Sequence, residues 1–274
     1  MPELPEVDTI VRQLRPHLVG RTIATARLSH DDLLDDVSRT VLVRELPRRR
    51  IVDVTRRAKH ALIHTDTKIL AVQPGMTGAL LRYDRPLTAG EAKYAVLQCR
   101  LDDGAILVYR DVRRIGTLRW LTPAAWTKYQ SRLGPEPLDP AFTALAFADR
   151  VSRSRSPVKK VLMDQRVVVG VGNIYANEAL FAAKIDPSKA ANRVAREDLI
   201  ILYQEVRRIL IAAIASDGTT FRDYVTGRGE AGNFQLEIAA YGREGLPCMA
   251  CGTRLAATHT IDGRSTVFCW RCQR

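Results

Sequence analysis

A chain of 274 residues exceeds what one small core needs and suffices for two modest domains and an appendage. Its 46% hydrophobic and 26% charged residues exclude wholesale disorder, and its longest apolar run, Ile209 to Ala215, is too short to span a bilayer. Lys and Arg outnumber Asp and Glu by 42 to 30; the net charge of +12 points to a polyanionic partner, because neutralising phosphates releases condensed counterions.

The chain opens Met-Pro-Glu-Leu-Pro-Glu, acidic and proline-broken, unlike a signal peptide, which predicts a cytoplasmic protein. Val7, Ile10, Val11, Leu14 and Leu18 recur at helical spacing, with Gly20 placed to end the helix and Pro16 expected to bend or shorten its last turn. From Thr22 to about Leu121 short apolar runs alternate with turn signals: Ile51 to Val54, Ala61 to His64, Ile69 to Val72, Ala95 to Leu101, Ala105 to Tyr109 and Thr117 to Leu121. Asp102-Asp103-Gly104 reads as a hairpin turn, and many short strands at this spacing predict a β-sandwich. Cys99 reads as a small strand residue.

Past the proline-rich stretch Gly134 to Pro137 the texture becomes helical, most clearly over Leu199 to Ile214, with shorter helices expected at Pro157 to Met163 and Asn173 to Ala183. From Gly218 to Asn233 the chain is glycine-rich and polar, too long for a simple connector and therefore a candidate functional loop. The fold class is thus α+β: an N-terminal helix and β-sandwich, then a helical domain, then a C-terminal cysteine-bearing hairpin.

Cys248, Cys251, Cys269 and Cys272 are spaced C-x2-C, seventeen residues, C-x2-C, the pattern of one structural Zn2+ held by four thiolates. The alternative, two adjacent disulfides, conflicts with a reducing compartment. Between Cys248 and the C-terminus stand Arg254, Arg264, Arg271 and Arg274 against one acid, Asp262. A stiff hairpin presenting arginines suits a nucleic-acid backbone or groove, and a purely structural clasp is the plainer reading. Gly170-Val171-Gly172-Asn173 is a glycine-rich turn opening a helix, which suits an anion or, equally, close helix packing. Removal of Met1 would leave Pro2 as a secondary amine, part of it neutral and nucleophilic at pH 7, beside Glu3 and Glu6. An amine beside a carboxylic acid is what attack on a sugar C1′ requires; proline and glutamate simply starting a helix is the competing reading.

Several motifs together resemble the formamidopyrimidine-DNA glycosylase and endonuclease VIII family of base-excision repair enzymes. They are Pro2-Glu3-Leu4-Pro5-Glu6-Val7, Arg56-Arg57-Ala58-Lys59, Gly75-Met76-Thr77-Gly78, Asp111-Val112-Arg113-Arg114-Ile115-Gly116, Gly170 through Glu178, Tyr241 to Gly245, and Gly263 to Thr266. The likeness runs over essentially the whole chain, and Leu4, where the endonuclease VIII branch usually has glycine, favours the formamidopyrimidine branch. It implies a catalytic β-sandwich domain over 1–132, a helix-two-turns-helix DNA-binding domain with a lesion loop over 133–236, and a zinc finger over 237–274. The implied activity is excision of oxidised purines from duplex DNA followed by cleavage of the abasic strand by β,δ-elimination, by a monomer without membrane contact.

The resemblance implies that Pro2 attacks C1′, that Glu3 protonates the sugar ring oxygen, that Glu6 supports proton transfers there, and that Lys59 contacts the phosphate beside the lesion. Met76, Arg113 and Ile115 would enter the space left by the flipped base, with Arg113 reading the orphaned partner. Asn173 and Arg264 would hold flanking phosphates, and Arg222 and Tyr224 would lie near the extruded base under the loop from Thr219 to Phe234. Flipping costs a few kcal/mol, which wedges, phosphate clamps and a base pocket offset. Three features depart from the branch: Ile115 replaces the usual phenylalanine, Gln73-Pro74 the usual His-Leu, and Val112 the usual proline. They bear on lesion preference, leaving an endonuclease VIII-like enzyme for oxidised pyrimidines, or a damage-binding relative without catalysis, as alternatives. An RNA- or ribosome-associated zinc ribbon fits the charge and cysteines but not the N-terminal Pro-Glu pair.

Overall fold

The computed structural model describes residues 1–219, 225–227 and 229–274. By internal contacts the chain forms two compact units, Met1–Ser131 with Ile214–Gln235, and Arg132–Ala213 with Leu236–Arg274. The segment 133–236, expected as one domain, thus contributes Ile214–Gln235 to the first unit.

The first unit begins with helix α1 (Leu4–Leu18), whose buried stripe is the periodic set Val7, Ile10, Val11, Leu14 and Leu18. Pro16 does not end the helix: Val19 still donates to the Arg15 carbonyl, and fully buried Leu18 holds the last turn against the core. Gly20 then takes φ +88°, the left-handed conformation that favours glycine.

Two antiparallel four-stranded sheets follow. One runs in the order β1 (Ile23–Leu28), β6 (Ala95–Leu101), β7 (Ile106–Asp111), β5 (Gly78–Tyr83). The other runs β2 (Ile51–Arg57), β3 (His60–Thr65), β4 (Ile69–Gln73), β8 (Thr117–Leu121). One apolar core joins α1 to side chains of both sheets, among them Val54, Ile63, Leu70 and Trp120 from one and Leu80, Leu97, Cys99 and Leu107 from the other. The sandwich is therefore as expected, with β6 and β7 joined through Asp102-Asp103-Gly104. Burial pushes the Cys99 thiol up to about 12, so it is an inert packing group. Strands β1 and β5 and the short helices α2 (Arg39–Glu45), α3 (Ala89–Lys93) and α4 (Pro123–Gln130) add to the elements expected from the sequence.

The second unit contains α5 (Ala144–Val151), also unanticipated, then α6 (Val158–Met163), α7 (Asn173–Ala182) and most of α8 (Arg196–Ala215), close to the expected helices. Phe142, Phe147 and Tyr203 pack edge to face and tilted in its core, with centroids 5.4 to 6.3 Å apart. A hairpin of β9 (Ala256–Thr258) and β10 (Thr266–Phe268) closes the chain. Among the described residues no helix is long and apolar enough to cross a membrane.

Candidate functional site

Pro2, Glu3 and Glu6 are all buried at the start of α1. Glu3 is the N-cap, in extended backbone at φ −102°, and its N–H donates to Glu6 Oε2 at 2.8 Å within a capping box. The other oxygen, Glu6 Oε1, accepts the Thr219 N–H at 2.8 Å. One carboxylate thus ties the chain start to the first residue of the expected lesion loop. That approach requires Gly218: it holds φ +83°, and a Cβ there would sit 3.1 Å from the Glu6 carboxylate.

The loop's two ends meet at the same place. Asn233 N–H donates to the Ser216 carbonyl at 2.9 Å, and Phe234 N–H to the Gly218 carbonyl at 3.0 Å. Farther along, Gly227 lies against Ile10, Gln13 and Leu14 of α1. The described ends of the long polar stretch are therefore pinned to each other. Arg222 and Tyr224 lie outside the described residues.

Lys59 is buried in the turn between β2 and β3, after Ala58 at φ +55°. Arg56 bonds Asp8 of α1 at 3.3 Å and the Ala58 carbonyl at 3.1 Å, so the Lys59 turn and the second turn of α1 share one guanidinium. The next residue, His60, is buried against Trp126 and Tyr129 and meets the Tyr129 hydroxyl at 3.2 Å. Burial, reinforced by the Arg119 charge, lowers its pKa to about 4, so it is neutral at physiological pH.

Met76, Arg113 and Ile115 are brought together as an exposed cluster, with Met76 46% and Ile115 50% accessible and Arg113 Nη1 3.5 Å from Met76 Sδ. Met76 and Ile115 thus present apolar side chains to water at the tips of two loops. What presents them is Asp111, which is 1% exposed. Its Oδ1 accepts the Thr77 hydroxyl and the N–H groups of Arg113 (3.2 Å) and Arg114 (3.1 Å). Its Oδ2 accepts the Tyr109 hydroxyl (3.1 Å) and the N–H groups of Ile115 (3.2 Å) and Gly116 (2.9 Å). Burial and the Asp111 charge both raise the Tyr109 pKa, so the phenol stays protonated and donating. A Cβ on Gly116 would overlap that hydroxyl. In the sequence Asp111 shows only as the first residue of the loop; an acid at the head of a tight turn is the signal for a carboxylate that caps the following N–H groups.

In the second unit, Asn173 is the first residue of α7, behind Gly172. Gln165 braces the glycine turn, donating to the Met163 and Val171 carbonyls and accepting the Gly170 N–H at 2.8 Å. Asn177, one turn on, accepts the Val267 N–H of β10 at 2.8 Å, and fully buried Lys159 donates to the Ser265 carbonyl and the Thr266 hydroxyl. Glu178 accepts three successive N–H groups, of Ala239, Ala240 and Tyr241, at 2.7 to 2.9 Å. Its pKa is nonetheless raised, because burial outweighs those bonds. These contacts fix the hairpin to α6 and α7 and place Arg264, exposed after the left-handed Asp262 and Gly263, beside Ser265.

The four sulfurs of Cys248, Cys251, Cys269 and Cys272 lie within 4.8 Å of one another, with Cys251–Cys269 at 3.6 Å and Cys248–Cys272 at 4.0 Å. All four are free thiols, so the disulfide alternative fails. Ligands about 2.3 Å from a tetrahedral centre sit about 3.8 Å apart, so the cluster fits one metal ion.

Residues 1–118 match the model of the formamidopyrimidine-DNA glycosylase N-terminal domain, and residues 133–225 that of the formamidopyrimidine-DNA glycosylase H2TH domain. The formamidopyrimidine-DNA glycosylase of Stenotrophomonas maltophilia is 44% identical over 277 residues, covering all of both chains. Among solved structures, a Lactococcus lactis Fpg variant in complex with Fapy-dG-containing DNA superposes with a TM-score of 0.91 at 30% identity, covering both chains completely. The MutM (Fpg) protein of Thermus thermophilus gives 0.87 at 36% identity, over 99% of this chain and 98% of that one.

Proposed function

The chain belongs to the formamidopyrimidine-DNA glycosylase family, and we propose that it excises 8-oxoguanine and formamidopyrimidines from duplex DNA and then cleaves the abasic strand. The observation that carries this reading is the buried Pro2-Glu3-Glu6 start pinned to the neck of the loop at Gly218 and Thr219.

Once Met1 is removed, the Pro2 amine attacks C1′ of the damaged nucleotide; the N–C1′ bond forms as the glycosidic bond breaks, and the base leaves with a proton. Glu3 gives a proton to the ring oxygen, the sugar opens, and an iminium links Pro2 to C1′. Loss of a C2′ proton expels the 3′ phosphate, a second elimination expels the 5′ phosphate, and hydrolysis of the iminium returns Pro2. Lys59 holds the phosphate beside the lesion; Asn173 and Arg264 hold others. Met76, Arg113 and Ile115 fill the space of the flipped base, and Arg113 can donate twice to the O2 and N3 of an orphaned cytosine. Arg222 and Tyr224 would approach the extruded base. Cys248, Cys251, Cys269 and Cys272 would hold one Zn2+, which would take no part in the chemistry and would stiffen the hairpin that carries Arg264. The three expected functional segments, 1–132, 133–236 and 237–274, then carry catalysis, DNA binding with the lesion loop, and the zinc finger. Chromosomal DNA as substrate places the protein in the cytoplasm.

Borohydride reduction of processed protein on an 8-oxoguanine·cytosine duplex should trap a covalent adduct through Pro2. Glu3→Gln should abolish excision and spare binding. Absence of any adduct across a panel of lesions would overturn the reading. Faster release of oxidised pyrimidines than purines, or of lesions opposite adenine than cytosine, would favour the endonuclease VIII-like activity that Ile115 and Gln73-Pro74 leave open.

A further inference from the structure

The second unit contains a cleft of about 560 Å³ in which, of the residues given a role above, only Arg264 takes part. Its walls include Arg150 of α5, Arg153 just beyond it, Lys160 of α6, Arg166, and Asp262 and Arg264 from the β9–β10 turn. Five cations line it against two carboxylates, and both carboxylates are committed. Asp164 pairs with Arg166 at 2.7 Å, and Asp262 is shared between Lys160 at 3.3 Å and Arg264 at 3.6 Å. Arg150 is oriented by two carbonyls, those of Val167 (3.0 Å) and Arg166 (2.7 Å), which fix its guanidinium without neutralising it. Arg153 is exposed and pairs with no carboxylate among the described residues. A net of three positive charges gathered in one concavity raises the local concentration of anions.

We propose that this cleft takes a phosphodiester of the DNA strand beyond the phosphate held by Arg264. The inference rests on the DNA-repair reading above and extends its footprint. Arg264 forms part of the cleft wall, so a strand held at that residue starts at the cleft's edge, and with one phosphate per about 3.4 Å of rise its next phosphates can reach the other cations. The cations come from separate elements, α5, α6 and the β9–β10 turn, which suits a passing backbone better than a single caged ion.

The test compares wild type with Arg153→Ala and with Arg153→Ala/Lys160→Ala, using anisotropy on duplexes carrying a stable abasic-site analogue at their centre, across 50–200 mM salt. On a long duplex each lost phosphate contact should flatten the slope of log K against log salt by about 0.9, and affinity should fall several-fold. On a duplex truncated close to the lesion the three proteins should bind alike, and single-turnover excision at saturating protein should be unchanged. Identical slopes on the long duplex, or equal losses on both lengths, overturn the proposal. Binding of free tripolyphosphate that the substitutions abolish while long-duplex slopes stay wild-type also overturns it, assigning the cleft to a soluble anion. If wild type shows no preference for lesion DNA, the repair reading fails, and the slopes on undamaged long duplex still decide the cleft.

Discussion

Asp111→Asn isolates the cost of presenting the proposed wedge of Met76, Arg113 and Ile115. The carboxylate accepts six hydrogen bonds, three at each oxygen, from Thr77, Tyr109 and the N–H groups of residues 113 to 116. Asparagine keeps one acceptor oxygen and turns the other into an amide nitrogen that faces three donors. Bonds to a charged acceptor contribute about 1.5–3 kcal/mol each, and losses within one network are not additive. A total of about 3–5 kcal/mol is therefore expected. Because Val112 to Ile115 are exposed, the loop can detach without unfolding the sandwich, so the loss should fall on the loop. Hydrogen exchange at residues 113 to 116 should rise steeply while β6 and β7 keep their protection. Any lesion duplex that needs the wedge must then restore the loop on binding, and about 3 kcal/mol corresponds to roughly a hundred-fold weaker affinity. Unchanged exchange at 113 to 116, or wild-type affinity alongside increased exchange, would refute the argument.

Gly218→Ala places a side chain at φ +83° and 3.1 Å from Glu6, so it should cost about 1–2 kcal/mol in unfolding free energy and slow excision more than it weakens DNA binding; equal effects on both would contradict the pinned-neck geometry. His60 titrates near 4 when folded against 6.5 when unfolded, so the stability it gives as a neutral group is intact above pH 6.5 and is lost as pH falls toward 4. Between pH 6.5 and 5 the loss is about 2 kcal/mol, and denaturant titrations of His60→Asn should show a shallower pH dependence by that amount. Cys269→Ser should release the metal, detected by a chromogenic chelator, and loosen the hairpin while leaving first-unit exchange protection unchanged.

The parts of the fold visible in sequence are those where one face is buried and one is not. Helix α1 shows its period because Val7, Ile10, Leu14 and Leu18 carry the burial, and β6 and β7 are apolar enough to read as strands whatever their pairing. Strand β1 buries only its two ends, Ile23 and Leu28, and β5 begins with glycine, so neither has the alternation that a single sequence can reveal. The short helices begin at caps such as Ser38, Thr88, Thr122 and Thr143 but hold too few buried residues for a period to emerge. The thiolate cluster was legible from spacing alone, because a tetrahedral centre permits few arrangements of two C-x2-C pairs.

At the N-terminus the chemical and structural readings of the sequence are not alternatives. Proline and glutamate starting a helix is what the structure shows, and the capping box that starts it is built from Glu3 and Glu6. What sequence could not supply is the third partner, the Thr219 N–H, 213 positions away, which occupies the remaining Glu6 oxygen. Each carboxylate oxygen has two lone pairs and each accepts a backbone N–H, so this one side chain holds both the chain start and the loop neck. A substitution at Glu6 is thereby felt at both, which makes the capping box the point where the chain start meets the Gly218–Thr219 neck.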